Sequence, residues 1–129
     1  MQPIEIPMYE KHEGTVQISG KSQVGKVGKY IVYLVLSKTA VVDVLFIGAN
    51  AGQQAYKSCS IACSLLEREG VFLGFFPMRF RTNTEKRDMI GATIMKDGSP
   101  VYELKDAFVW RLFDATSIRH PKQSPKEIT

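Results

Sequence analysis

The chain has 129 residues, a mass of 14.5 kDa, a formal net charge of +4 and a pI near 9.1, enough length for one domain with a hydrophobic core. No apolar run approaches the roughly 20 residues of a membrane span, and the opening Met1-Gln2-Pro3-Ile4-Glu5 lacks the basic start and apolar stretch of a signal peptide, so a cytoplasmic protein without a membrane partner is expected. Cys59 and Cys63 stand four apart in a helical pattern, which suits small core residues better than a disulfide framework.

In chain order, Thr15 to Ser19 is short, β-branched and alternating, with Val16 and Ile18 on one face, and reads as a strand ending at Gly20. Ser22 can cap a helix whose apolar positions Val27, Ile31 and Leu34, widened by Val35, form one stripe while Lys26, Lys29 and Ser37 face outward. Gly25 and Gly28 inside that helix predict close backbone approach, with packing against a sheet as the simplest cause. Val41 to Ile47 is nearly continuous apolar sequence interrupted by Asp43, the pattern of a central strand covered on both faces. Asp43 itself reads as a buried functional carboxylate or, more simply, as a strand-edge or solvent-facing acid.

Asn50, with Gln53 three residues on, predicts the cap of a second helix carrying the stripe Ala55, Cys59, Ala62 and Leu66 and ending at Glu67-Arg68-Glu69-Gly70. Val71 to Phe76 is a heavily apolar strand. Met89 to Met95 alternates and is expected to be its antiparallel partner across a polar hairpin loop. Beyond Lys96 two forms stay open: Asp97-Gly98 favours a tight hairpin carrying Val101 to Leu104 back along the sheet, whereas Ser99-Pro100 followed by Leu104, Phe108 and Leu112 also suits a helix start. Phe108, Trp110, Leu112 and Phe113 are too apolar to stay exposed and should cover the sheet or a partner subunit. Residues 119–129 read as a disordered tail.

The residues that could carry chemistry are few. Gly20-Lys21-Ser22 has the ending of a phosphate-binding loop, but that motif needs four residues between its glycines and here five separate Gly14 from Gly20, with a strand between them. What survives is weaker: helix-start amides after Ser22, with Lys21 beside them, favour a phosphate. His12 and His120 both lie in the terminal regions, away from the cysteines, so no nucleophile pair, metal cluster or cofactor site has obvious members, and no enzyme is expected.

The charge is distributed more informatively than its size suggests. Outside residues 15–116, Lys11, Arg119, Lys122 and Lys126 are balanced by Glu5, Glu10, Glu13 and Glu127, so the excess belongs to the central part. In Met78-Arg79-Phe80-Arg81, alternation points both arginines to one face, and Lys86-Arg87 return on the far limb of the hairpin. Four cations on one projecting loop can attract phosphate.

The first-strand segment Val16-Gln17-Ile18-Ser19-Gly20-Lys21-Ser22, together with Ile47-Gly48-Ala49, Gln54-Ala55, Lys57 and Ile61-Ala62, resembles the bacterial stage V sporulation protein S family, whose members share the fold of the Alba chromatin proteins. The resemblance covers roughly Thr15 to Met95. It implies an α+β, Alba-like two-layer sandwich in the order strand-helix-strand-helix-strand-strand, and a dimer that binds DNA or RNA through basic residues after the first strand and through the last hairpin.

The expected organisation is an N-terminal extension over 1–14, the Alba-like domain over 15–96, an aromatic extension over 97–118 packed on the domain or a partner subunit, and the tail. Two functions follow. One is a non-catalytic nucleic-acid-binding homodimer contacting phosphates through Lys21, Ser22, Lys26 and Lys57 on the body and Arg79, Arg81, Lys86 and Arg87 on the arm. The other is a regulatory protein-interaction module working through the aromatic extension.

Overall fold

The computed structural model describes residues 5–38 and 41–118. Its elements are β1 (Thr15–Ile18), α1 (Val24–Leu36), β2 (Val42–Phe46), α2 (Ala49–Glu67), β3 (Leu73–Glu85), β4 (Met95–Lys96), β5 (Ser99–Pro100) and β6 (Tyr102–Asp114). The protein is α+β, with two helices and a mixed four-stranded sheet in the order β1-β2-β6-β3. β1 and β2 are parallel, as the strand-helix-strand pattern predicts. β6 is antiparallel to both its neighbours and pairs with β3 along its whole length, from Leu73 opposite Asp114 to Glu85 opposite Tyr102.

Both helices cover one face of the sheet. Ile31 and Leu34 of α1 and Ala51, Ala55, Cys59 and Ala62 of α2 meet Val16 and Ile18, Val42, Val44 and Phe46, and Leu112 in one core. These are the helical stripes read from the sequence, and they form because residues three and four apart share one side of a helix. The core extends to Trp110, whose ring meets Phe46 and Phe75 edge-on at 4.8 and 5.9 Å between centroids. A second, smaller core of Leu45, Ala107 and Val109 lies on the other face, covered in part by Tyr9, Met78 and Phe80. Every residue of β2 is buried because the strand feeds both cores.

Several expectations are corrected. Met89 to Met95 is not a strand of the main sheet: Met89 and Ile90 lie in a turn and are exposed, Thr93 makes an isolated antiparallel bridge to Arg87, and Met95–Lys96 pairs with Ser99–Pro100 in a separate two-stranded ribbon. The place next to β3 is taken by β6, so Trp110 and Leu112 are interior to the sheet instead of being laid over it. The strand expected over Val71 to Phe76 runs on past Pro77, which is tolerated because β3 lies at the edge of the four-stranded sheet. With Pro77 accommodated, the alternation Met78, Phe80 and Thr82 carries the strand on to Glu85. The hairpin at Asp97-Gly98 does form: both residues take positive φ, 53° and 79°, the geometry of a two-residue turn. The tail at 119–129 lies outside the described residues.

The helix starts also differ from expectation. Gln23, not Ser22, is the N-cap of α1, and Ser22 Oγ instead accepts a hydrogen bond from the Ser19 amide at 2.9 Å. Gly48 caps α2 with φ 86°, a conformation open to glycine, so the chain turns from β2 straight into the helix and Asn50 falls within the first turn. Gly28 packs against α2 instead of the sheet: a Cβ there would stand 2.8 Å from Ile61 Cγ2 and 3.0 Å from the Ser58 carbonyl oxygen.

Candidate nucleic-acid interface

The parallel strands β1 and β2 end side by side, and the two turns that leave them enclose a cleft of about 580 Å³. One wall is Ser19, Gly20 and Lys21; the other is Ile47, Gly48, Ala49 and Asn50. The walls are tied together. Gln54 Nε2 donates to the Ser22 carbonyl at 2.8 Å, Ser19 Oγ accepts from the Lys21 amide at 3.2 Å, and a Cβ on Gly20 would stand 3.0 Å from Asn50 Cβ. The first intrahelical bond of α2 runs from the Gly52 amide to the Gly48 carbonyl, so the amides before Gly52 have no partner within the helix. Lys21 is exposed at the mouth of this cleft.

From Lys21 the cationic surface continues along α1. Residues 15–38 hold Lys21, Lys26, Lys29 and Lys38 and no carboxylate. Lys26 and Lys29, with Lys57 on α2, are exposed.

The arm is arranged differently. Arg79 and Arg81 share a face, as alternation predicts, but both turn to Asp106 on β6, at 2.7 and 3.8 Å. The Arg79 hydrogen bond holds the Asp106 carboxyl below its ordinary range. Lys86 and Arg87 sit beyond the end of β3, roughly 20 Å further along at about 3.3 Å per residue. Arg87 Nη1 donates to the Gly91 carbonyl at 2.9 Å, and Arg87 Nη2 lies 3.9 Å from Glu85. The arm's cations therefore form two pairs at different heights, three of the four with protein partners.

A polar cluster went unread in the sequence. Asp43 is fully buried on the face opposite the helices, where its side chain accepts two hydrogen bonds from Arg111, both 2.9 Å, and one each from Tyr9 Oη and His12 Nε2, also 2.9 Å. His12 Nδ1 accepts from the Gly14 amide at 3.1 Å, which leaves the ring proton on Nε2, facing Asp43. Burial pushes the Asp43 carboxyl up, but the bonds from Arg111, His12 and Tyr9 outweigh it and hold it below the usual carboxylate range. Burial likewise pushes the Tyr9 hydroxyl up to about 12, so it remains a donor at neutral pH. The expectation of a solvent-facing Asp43 fails because register places it opposite Arg111, an ion partner 68 positions away in sequence. The available signal was symmetrical: each charge interrupts an apolar strand, Asp43 between Val42 and Val44, Arg111 between Trp110 and Leu112.

The cysteines pack as expected. Burial pushes the Cys59 thiol up to about 12 and raises Cys63 as well, so both stay protonated at neutral pH. Among the described residues no group of three or more His, Cys, Asp or Glu is placed to hold a metal ion, and no helix is long and apolar enough to cross a membrane.

The residues that line the cleft and cap α2 fall within a family match: the model of stage V sporulation protein S fits residues 14–96. The chain belongs to the stage V sporulation protein S family. No curated protein matches it. The sporulation-family region contains β1, α1, β2, α2 and β3, and with them the cleft, Asp43, and all eight expected contact residues. It ends before β6, so the family match contains Asp43 but not Arg111.

Proposed function

We propose that the protein is a non-catalytic, nucleic-acid-binding regulator, in keeping with its sporulation family, and that it acts as a homodimer. Phosphates are contacted by Lys21, Ser22, Lys26 and Lys57 on the body and by Arg79, Arg81, Lys86 and Arg87 on the arm. The observation that carries this reading is the acid-free run of lysines from the mouth of the cleft along α1, next to the unpartnered amides of α2. A polyanion gains there from several ammonium groups at once, and among the described residues Lys21, Lys26 and Lys57 form no ion pair. The arm is the secondary contact, because a phosphate must draw Arg79 and Arg81 away from Asp106.

An apolar groove of about 500 Å³ lies between α2 and the sheet, lined by Tyr56, Cys59, Cys63, Phe75 and Trp110. Asp43 has no part in chemistry here, since both of its oxygens are already engaged.

The test is binding to single-stranded and duplex DNA and RNA across a salt series. Phosphate contact gives a linear fall of log affinity with log salt, with a slope of about −0.9 per duplex phosphate neutralised and about −0.7 for single strands. Replacing Lys21, Lys26 and Lys57 with alanine is expected to make the duplex slope shallower by about 2 to 3. No binding at low salt, or binding indifferent to salt, removes the reading.

A further inference from the structure

The outer face of α1 carries aromatic rings among its lysines. Lys26, Tyr30 and Tyr33 follow at i, i+4 and i+7, and Lys29 and Tyr33 at i and i+4, so these side chains share the side of the helix turned away from the buried Ile31 and Leu34. Tyr30 and Tyr33 are 47% and 64% exposed, and Leu36 beside them is 49% exposed. Their rings lie 6.3 Å apart with only 17° between planes, a stacked pair directed into solvent. The core of α1 is complete without them.

From this arrangement we propose that the outer face of α1 is a stacking platform for single-stranded nucleic acid, with bases laid on Tyr30 and Tyr33 and the intervening phosphates held by Lys26 and Lys29. The inference rests on the nucleic-acid reading above and specifies its substrate class. Charge selects the occupant: residues 15–38 contain no carboxylate, so the platform repels a basic surface and attracts a polyanion. The rings select within polyanions. Bases in a duplex are stacked on each other and turn only their edges outward, whereas an unpaired base presents a π face to an aromatic side chain. Both rings sit on a rigid helix, so little order is lost when a base settles on them.

The experiment compares the full chain with Y30A/Y33A and Y30F/Y33F, using a labelled oligothymidylate and a labelled duplex of equal length at fixed salt. The alanine pair is expected to bind the single strand at least about tenfold more weakly while duplex affinity stays within about twofold. The phenylalanine pair, which keeps the rings, restores single-strand binding. Unchanged single-strand affinity in the alanine pair overturns the platform, and so does an equal loss on both polymers. A shift in the sedimenting species of the alanine pair assigns the face to a second copy and also overturns it. Wild-type protein that binds neither polymer at low salt removes the parent reading; wild-type binding indifferent to the two tyrosines removes only this one.

Discussion

Two glycines one helical turn apart illustrate how a single residue's role depends on its neighbours. Gly25 has open space where a Cβ would stand, whereas a Cβ on Gly28 would press on Ile61 and on the backbone of α2 at Ser58. Gly25→Ala is therefore expected to stabilise the protein by about 0.5–1 kcal/mol through helix propensity, and Gly28→Ala to destabilise it by about 1 kcal/mol once overpacking outweighs that gain. Urea midpoints of the two variants check the opposite signs. Asp43 is the more consequential residue. Because its folded carboxyl lies below the unfolded value, the stability it contributes is present above about pH 4 and is lost as pH falls through the folded value. Asp43→Asn removes the charge that Arg111 pairs with and, because the guanidinium left behind is half-exposed, is expected to cost about 1–3 kcal/mol at neutral pH. Its stability should then fall less steeply than that of the wild type as pH drops below about 4, measured by urea unfolding across the acid range. Equal acid sensitivity in both proteins would show that other carboxylates dominate.

Among the elements, the contrast lies between the arm and α1. The alternation Arg79, Arg81 was legible from the sequence, and both side chains do share a face. Their engagement was not legible, because Asp106 lies on a strand that the residue pattern left undecided between hairpin and helix. Replacing all four arm cations with alanine is accordingly expected to make the duplex salt slope shallower by about 1–2, less than the 3.6 or so of four free cations. The body variant with Lys21, Lys26 and Lys57 replaced should show the larger change, and the two slopes measured side by side decide the order. An arm variant that loses more slope than the body variant would make the hairpin the principal contact. The N-terminal segment is a further element that the pattern did not anticipate: Arg81 bonds through its backbone to Pro7 and Tyr9, so the segment covers the outer edge of β3 at that position.

For the whole molecule, the position of β6 between β2 and β3 has a direct consequence. A chain ending at Lys96 keeps the family region but loses the strand that joins β3 to the rest of the sheet, together with Trp110, Leu112 and the Arg111 partner of Asp43. It is expected not to fold cooperatively, which circular dichroism and urea titration of the truncated chain will show. A cooperative transition in that chain would mean that β1, β2 and the helices suffice. At the same scale, the candidate contacts lie on turns, on outward helix faces and along β3 and the segment just beyond it, and suit phosphate or stacking more than base-edge recognition. Affinities for unrelated duplexes of equal length should fall within about tenfold, or roughly 1.4 kcal/mol, at fixed salt. Preference for one sequence by a thousandfold in a competition assay would contradict this.

The sequence by itself determined the elements whose signal is local: β1, the two helices with their buried stripes, β2 and the start of β3; the turn at Asp97-Gly98 was one of two forms it left open. In each, the period of apolar residues or the demand for positive φ acts within a few residues of chain. Tertiary structure alone decided what depends on partners far apart: that β6 lies inside the sheet, that Asp43 is buried because Arg111, Tyr9 and His12 converge on it, and that two of the arm's arginines are held by Asp106. The candidate site divides along the same line. Lys26 and Lys57 stand on locally specified helices, and Lys21 on the turn before α1, so they could be named in advance, whereas whether a cation is free to meet a phosphate depends on which residue strand pairing brings beside it.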